Sequence, residues 1–287
     1  MAAPSRIPPS KGAPARSGAA TGAPITSREN QWLKTFRAAL RASRPEENRI
    51  ALEGLHLVTE AIRFGLKIEA LLVSASGEKH LTQMESQLDR STHILRTSDK
   101  LFASVADTET PQGIAALARA PESKLEDMLI FDPLVIVLVA AQNPGNVGAI
   151  LRSAEAFGAT GVIATRGTAH PYSPKALRAS SGSSLRLPVI ADLAAPIALT
   201  QLRVSGLQIL AASASQNSKA KRPDELDLRA PFALLIGNEG AGLPAEVERS
   251  ADALVRIQLA EPVDSLNAAV AASLILYEAV RQRRAKA

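Results

Sequence analysis

Residues 234–247, "LLIGNEGAGLPAEV", end an apolar run in Gly237-Asn238-Glu239-Gly240-Ala241-Gly242 before Pro244 opens a helix. Glycines between a strand and a helix mark backbone that something approaches closely. The spacing is G-x-x-G-x-G. A dinucleotide loop has G-x-G-x-x-G, and a P-loop has Lys-Ser or Lys-Thr after its last glycine, so this stretch is neither. As a plain tight turn it would only expose Glu239. As a site, its bare amides and carbonyls would meet the polar edge of a small molecule.

Working outward, "FALLI" just before this loop is one of several buried-strand runs. The others are "PLVIVLVAA" from residue 133, "TGVIAT" from 160, "LQILAAS" from 207 and "ALVRIQL" from 253. Helical segments separate them. Continuous apolar strands with helical crossovers make a parallel sheet, spanning 130–287. Ligands of such sheets lie outside the carboxyl ends of the strands. The glycine loop falls at one such end.

Two more strand-end loops share that side. In "NPGNVGAILRSAEAFGA" (143–159), Asn143 caps a helix and Pro144 fits its first turn. Val147, Ile150, Leu151, Ala154 and Phe157 form its buried stripe, leaving Asn146 and Arg152 off it. In "VRIQLAEPVDSLNAAVAASLILYEAVRQRR" (255–284), the strand ends near Leu259 and Asp264 is the expected N-cap. Ser265, Leu266 and Asn267 then fill the first turn of a long helix. That helix is apolar nearly all round, which requires burial on two sides, one of them against a partner subunit.

The first half reads as a smaller α/β unit. "NQWLKTFRAALRASR" (30–44) repeats Leu33, Phe36 and Leu40 at helical spacing, with Lys34, Arg37, Arg41 and Arg44 on another face. "ALEGLHLVTEAIRFG" (51–65) reads as one helix ended by Gly65, and residues 79–89 as another. "IEALLVS", "THILRT" and "GIAALAR" read as strands, with Ser98 capping a short helix after the second. The expected organisation is a disordered tail over 1–28, this α/β unit over 29–119, a polar connector over 120–129 and the parallel-sheet domain over 130–287.

Composition narrows the chemistry. The 287 residues contain no cysteine, which excludes thiolate metal sites and cysteine nucleophiles and fits a reducing cytoplasm. The four histidines (His56, His80, His93, His170) have no metal-ligand spacing, so no metal is expected. No apolar leader or membrane-length run is present. The net charge is +5, and Arg6, Lys11, Arg16 and Arg28 against Glu29 place +3 of it in the first 30 residues. That balance points to a polyanionic partner. Aromatics are 3%, too few for a row of base-stacking rings.

Taken together, the three loops are similar to the motifs of the SpoU (TrmH-like) family of RNA ribose 2'-O-methyltransferases, within the SPOUT superfamily. "NPGNVGAILRSAEAFGA" resembles its first motif, "LLIGNEGAGL" its second and "VRIQLAEPVDSLNAAVAASLILYE" its third. "SPKALRASSGSSLRLPV" between the first two is also typical. Upstream, "ALEGLHLVTEAI" and "TPQGIAAL" look like the family's L30e-like substrate-binding domain. The resemblance implies a C-terminal trefoil knot, a homodimer and S-adenosylmethionine bound in the knot. Leu235, Gly237, Ile257 and Leu266 match donor-contacting positions. Arg152, Asn146, Glu239, Ser265 and Asn267 match the polar active-site residues, Glu239 orienting Arg152 or neighbouring polar groups. Four positions depart: Gln258-Leu259 stand where the family often has Pro-Met, Ala269 where it often has Ser, and Asn143 where it often has Asp.

The implied reaction is in-line methyl transfer to a ribose 2'-hydroxyl, in 23S ribosomal RNA by analogy with relatives that carry an N-terminal domain. Guanidinium stays protonated in proteins and is a poor base. Arg152 is therefore expected to bind phosphate and stabilise developing alkoxide. RNA contact is expected through Lys34, Arg37, Arg41, Lys175 and Arg178. The alternatives are a tRNA substrate, a non-catalytic RNA-binding or ribosome-assembly protein, and a nucleotide-dependent oxidoreductase. The last lacks its glycine fingerprint.

Overall fold

The computed structural model describes residues 23–213 and 219–285. Ten strands run in chain order: β1 Arg49–Glu53, β2 Ile68–Ser74, β3 His93–Thr97, β4 Ile114–Arg119, β5 Leu134–Leu138, β6 Gly161–Thr165, β7 Val189–Leu193, β8 Gln208–Ala212, β9 Phe232–Ile236 and β10 Ala253–Val255. The helices are α1 Gln31–Arg41, α2 Leu55–Arg63, α3 Glu78–Met84, α4 Asp99–Ala103, α5 Pro144–Ala156, α6 Pro174–Ala179, α7 Ser183–Arg186, α8 Ala195–Val204, α9 Ala245–Arg249 and α10 Ala268–Arg284.

The first four strands form a mixed sheet in the order β1-β4-β2-β3, with β4 antiparallel to both neighbours. Leu33, Phe36 and Leu40 of α1 bury against one face of it, together with Phe102 of α4. On the other face Leu57, Val58 and Ala61 of α2 join an apolar cluster that continues into the second sheet's core.

The remaining strands form an all-parallel sheet in the order β10-β8-β9-β5-β6-β7. Its central strands β5, β6 and β9 are buried along their whole length. One face packs on α5 and α10 through Val147, Ile150, Leu151, Ala272, Ile275 and Leu276. The other packs on α8 and α9 through Leu199, Leu202 and Val247. Burial on both faces is what unbroken apolar strands require.

Four expectations change. Residues 51–65 are not one helix: Ile50–Leu52 pair with β4, and Gly54 at φ 95° turns the chain into α2. Strand pairing overrides a helix propensity that is only a weak prior. The expected tail is held before its predicted end, since Ile25 bridges Thr97 and donates to the Arg96 carbonyl at 2.7 Å; residues 1–22 lie outside the described residues. Strand β10 stops at Val255, not near Leu259. Helix α10 is capped by Asn267 rather than Asp264, so Ser265 and Leu266 lie in a loop. Strand β7, inside "LPVIADL", buries only Val189 fully and so leaves no unbroken apolar run in the sequence.

Candidate active site

Three loops converge at the carboxyl ends of β5, β9 and β10. The first enters α5, where Asn143 Oδ1 accepts from the Gly145 and Asn146 amides at 2.8 and 3.4 Å. The second is the glycine loop after β9. Asn238 and Gly242 close it with two backbone bonds of 3.0 and 2.9 Å. The Asn238 side chain then ties it to the loop after β5, donating to the Ala140 carbonyl at 3.0 Å and accepting from Gly240 and Ala241. The third is the irregular stretch from Arg256 to Leu266. Asn267 follows it, capping α10 by accepting from Ala269 and Val270.

A chain of side-chain hydrogen bonds joins the three. Asn267 Nδ2 donates to Asn146 Oδ1 at 2.9 Å, and Asn146 Nδ2 donates to Glu239 Oε1 at 2.9 Å. The cap fixes which end of Asn267 is the donor. That in turn fixes the amide of Asn146, and so which oxygen of Glu239 is engaged. These assignments follow from the network itself.

Beside this chain lies a cavity of about 210 Å³, walled by the glycine loop and by residues 255–268. Gly237, Glu239, Ile257, Ser265 and Leu266 line it, with Ile236, Leu259 and Ile275 adding apolar surface. Its ionisable side chains are Glu239, Asp264 and Arg256. Apolar walls, exposed backbone and two carboxylates against one guanidinium suit a flat, partly apolar ligand that carries positive charge.

Two expected residues stand apart. Leu235 is fully buried and its backbone is paired in register with Val137 and Ala211, so Ile236 and Gly237 form the wall instead. Arg152 is exposed six residues along α5 from Asn146, outside the cavity lining, and makes no hydrogen bond or ion pair among the described residues. Glu239 thus holds Asn146, not Arg152.

Gly237 is needed for a reason the sequence did not show. A Cβ there would stand 2.4–2.5 Å from the backbone of Gly242 and Leu243, so the glycine lets the loop close on itself. Asn238 was likewise missed. Its signal was available: Asn in a glycine turn bonds its own backbone two residues on.

The basic residues separate too. Lys34 pairs with Glu29 at 2.6 Å and Arg37 donates to the Ser104 carbonyl. Arg178, expected on RNA, is committed within the chain: Nη2 lies 2.6 Å from Asp107 and Nη1 3.9 Å from buried Glu53. It joins the two sheets' domains. Arg41 and Lys175 are exposed and without such partners among the described residues.

A model of the SpoU rRNA Methylase family matches residues 133–277, the whole stretch that carries these loops. The chain belongs to that family. A model of the MRM3-like substrate binding domain matches residues 31–116. The 23S rRNA (guanosine(2553)-2'-O)-methyltransferase RlmP of Bacillus subtilis is 33% identical over 254 residues, 88% of this chain and 97% of its own. The AdoMet-bound rRNA methyltransferase from Sinorhizobium meliloti superposes with a TM-score of 0.78 at 31% identity, over 90% of this chain and 97% of that one. The SpoU methyltransferase AviRb from Streptomyces viridochromogenes, in complex with AdoMet, gives 0.80 at 29%, over 89% and 99%. SpoU membership accounts for the α/β fold with its parallel sheet. Among the described residues no helix is long and apolar enough to cross a membrane, and no three His, Asp or Glu group to hold a metal.

Proposed function

We propose that this protein transfers the methyl group of S-adenosylmethionine to a ribose 2'-hydroxyl of 23S ribosomal RNA. The carrying observation is the Asn267–Asn146–Glu239 chain, which gathers one residue from each of three separate motifs at the rim of one cavity. RlmP acts, by its name, on a 2'-O position of 23S rRNA, and AviRb is solved with AdoMet.

The residues present fit that donor. The apolar wall of Ile236, Ile257 and Leu266 suits an adenosyl group, and Glu239 and Asp264 suit a cationic sulfonium and ammonium. When bound, S-adenosylmethionine supplies an activated methyl, so positioning by the protein contributes much of the rate gain. Glu239 Oε1 is held by Asn146, which leaves Oε2, without a hydrogen-bond partner among the described residues, to orient the incoming hydroxyl. Ser265 makes no hydrogen bond among the described residues and is available to ribose or donor. Arg152, exposed and without a partner among the described residues, binds the neighbouring phosphate and stabilises developing alkoxide, the proton leaving to phosphate or water.

In this reading residues 130–287 form a SPOUT domain whose segment from Arg256 to Leu266 threads as a trefoil knot under the glycine loop. The two walls of the cavity support it. Residues 29–119 are an L30e-like RNA-binding domain and 120–129 a linker. The protein is a homodimer: Val270, Leu274 and Tyr277 project from α10 at 47%, 44% and 58% exposure, one stripe at helical spacing. It works without metal, in the cytoplasm with its ribosomal substrate. Incubation with methyl-labelled S-adenosylmethionine and protein-free 23S rRNA tests the reading. Label in RNA at a 2'-O position is expected; donor binding without transfer to any RNA would refute it.

A further inference from the structure

Outside the donor cavity, two hollows meet at Lys175. One, about 530 Å³, opens between the end of α1 and the loop before α6; Arg41, Ser43, Arg44, Gln142 and Lys175 line it. The other, about 680 Å³ and more open, runs from Gln142, Pro144 and Lys175 to Asn238 and Glu239. Gln142, Pro144 and Lys175 belong to both. The two are therefore one groove, leading from the junction of the two domains to the carboxylate of the reaction site.

Its chemistry is that of a nucleotide site. Arg41 and Lys175 carry charges unpaired among the described residues, and Arg44 is 59% exposed although it reaches Asp192 at 3.0 Å. The acid in the first hollow, Asp107, is already neutralised by Arg178 at 2.6 Å, so the groove presents net positive charge. Gln142 is exposed and makes no hydrogen bond among the described residues. Its amide offers both a donor and an acceptor, the pair needed to read a base edge. The hollow is within the range of small-molecule sites, about 300–1,000 Å³.

We propose that this interdomain hollow seats a nucleotide flanking the methylated one. Arg41 and Lys175 hold its phosphates, and Gln142 with Ser43 reads its base. The inference rests on the methyltransferase reading and adds to it a second subsite, built from both domains. Arg41 comes from the first domain, and Gln142 and Lys175 from the second. The target ribose meets Glu239 when its neighbour is seated.

The test is binding of protein-free 23S rRNA to the full chain, titrated across salt, with donor affinity measured separately by calorimetry. Arg41→Ala and Lys175→Ala are each expected to weaken RNA binding by about five-fold and to lower the slope of log K against log salt by about 0.7 per lost phosphate contact. Donor affinity stays at the wild-type value. Gln142→Ala keeps the slope but loses preference for 23S rRNA over competitor tRNA. Lys79→Ala, the same charge loss on α3 outside the groove, changes none of these. Affinities for Arg41→Ala and Lys175→Ala within two-fold of wild type, or an equal loss in Lys79→Ala, would overturn the subsite. If the wild type binds RNA through these residues yet transfers no methyl group, the subsite stands and the methyltransferase reading falls.

Discussion

Asn267 donates to Asn146 at 2.9 Å while its own carbonyl oxygen caps α10. One side chain thus does two separable jobs, and substitution can separate them. Asn267→Ala removes both. It costs the cap, about 1 kcal/mol, or about 2–4 °C in melting temperature for a chain of this size, and it frees Asn146. Asn267→Asp keeps an equally good cap. However Asn146 then turns, one of its ends is mismatched, because a carboxylate lies on each side of it and its amide has one carbonyl. The expected result is wild-type melting with methyl transfer reduced about 100-fold, within the range for a misplaced acid–base group. Thermal melts beside single-turnover transfer decide it; wild-type activity in Asn267→Asp would show that the chain of bonds is incidental.

Gly237→Ala forces a methyl group onto the Gly242 backbone at 2.4–2.5 Å. Overpacking of this kind costs about 1–3 kcal/mol. The loop that walls the donor cavity opens, so stability and S-adenosylmethionine affinity fall together. Gly240→Ala, whose Cβ would meet nothing closer than 3.6 Å, leaves both near wild type. Calorimetry on the two variants makes the comparison.

The domain junction carries a pH dependence. Arg186 donates to Glu155 through Nε and Nη2 at 2.5 and 2.7 Å, and also pairs with Glu60 of α2. Its hydrogen bond, opposed by burial, holds the Glu155 carboxyl below the ordinary carboxylate range. A depressed folded pKa adds stability above the unfolded value, about 4.3, and that stability is lost as pH falls through the folded value. Arg186→Met is therefore less stable at neutral pH, and the gap narrows as pH drops from about 5 to 3. Urea melts across that range measure it; a constant gap would place the effect in packing instead.

The exposed stripe of Val270, Leu274 and Tyr277 makes a prediction about assembly. Leu274→Arg, outside the donor cavity, is expected to shift the protein from dimer to monomer in sedimentation without lowering its melting temperature by more than about 2–4 °C. A dimer that survives this change uses another face.

The parallel sheet was legible because β5, β6 and β9 are buried on both faces and so read as unbroken apolar runs. The three strand-end loops of the candidate site were legible because each joins an apolar strand to a helix, and the structure brings Asn146, Glu239 and Asn267 of those loops together. Where the reading failed, a long-range contact decided the outcome. Ala51–Glu53 look helical until β4 is beside them. Ile25 looks like tail until Thr97 accepts it as a neighbour. Arg178 looks like an RNA contact until Asp107 and Glu53 meet it from the other domain. Gly237 was read as room for a ligand, whereas it is room for Gly242. Gly242 is five residues from Gly237, but its approach depends on how the loop closes; the other partners lie too far away in the chain to leave a local pattern.

The most direct measurement is a map of 2'-O-methyl groups in total RNA from cells with the gene, without it, and with Glu239→Gln in its place. The account predicts one 23S rRNA position that loses its methyl on deletion and regains it with the wild-type gene but not with Glu239→Gln. An unchanged ribosomal map, or loss confined to a tRNA, would contradict it.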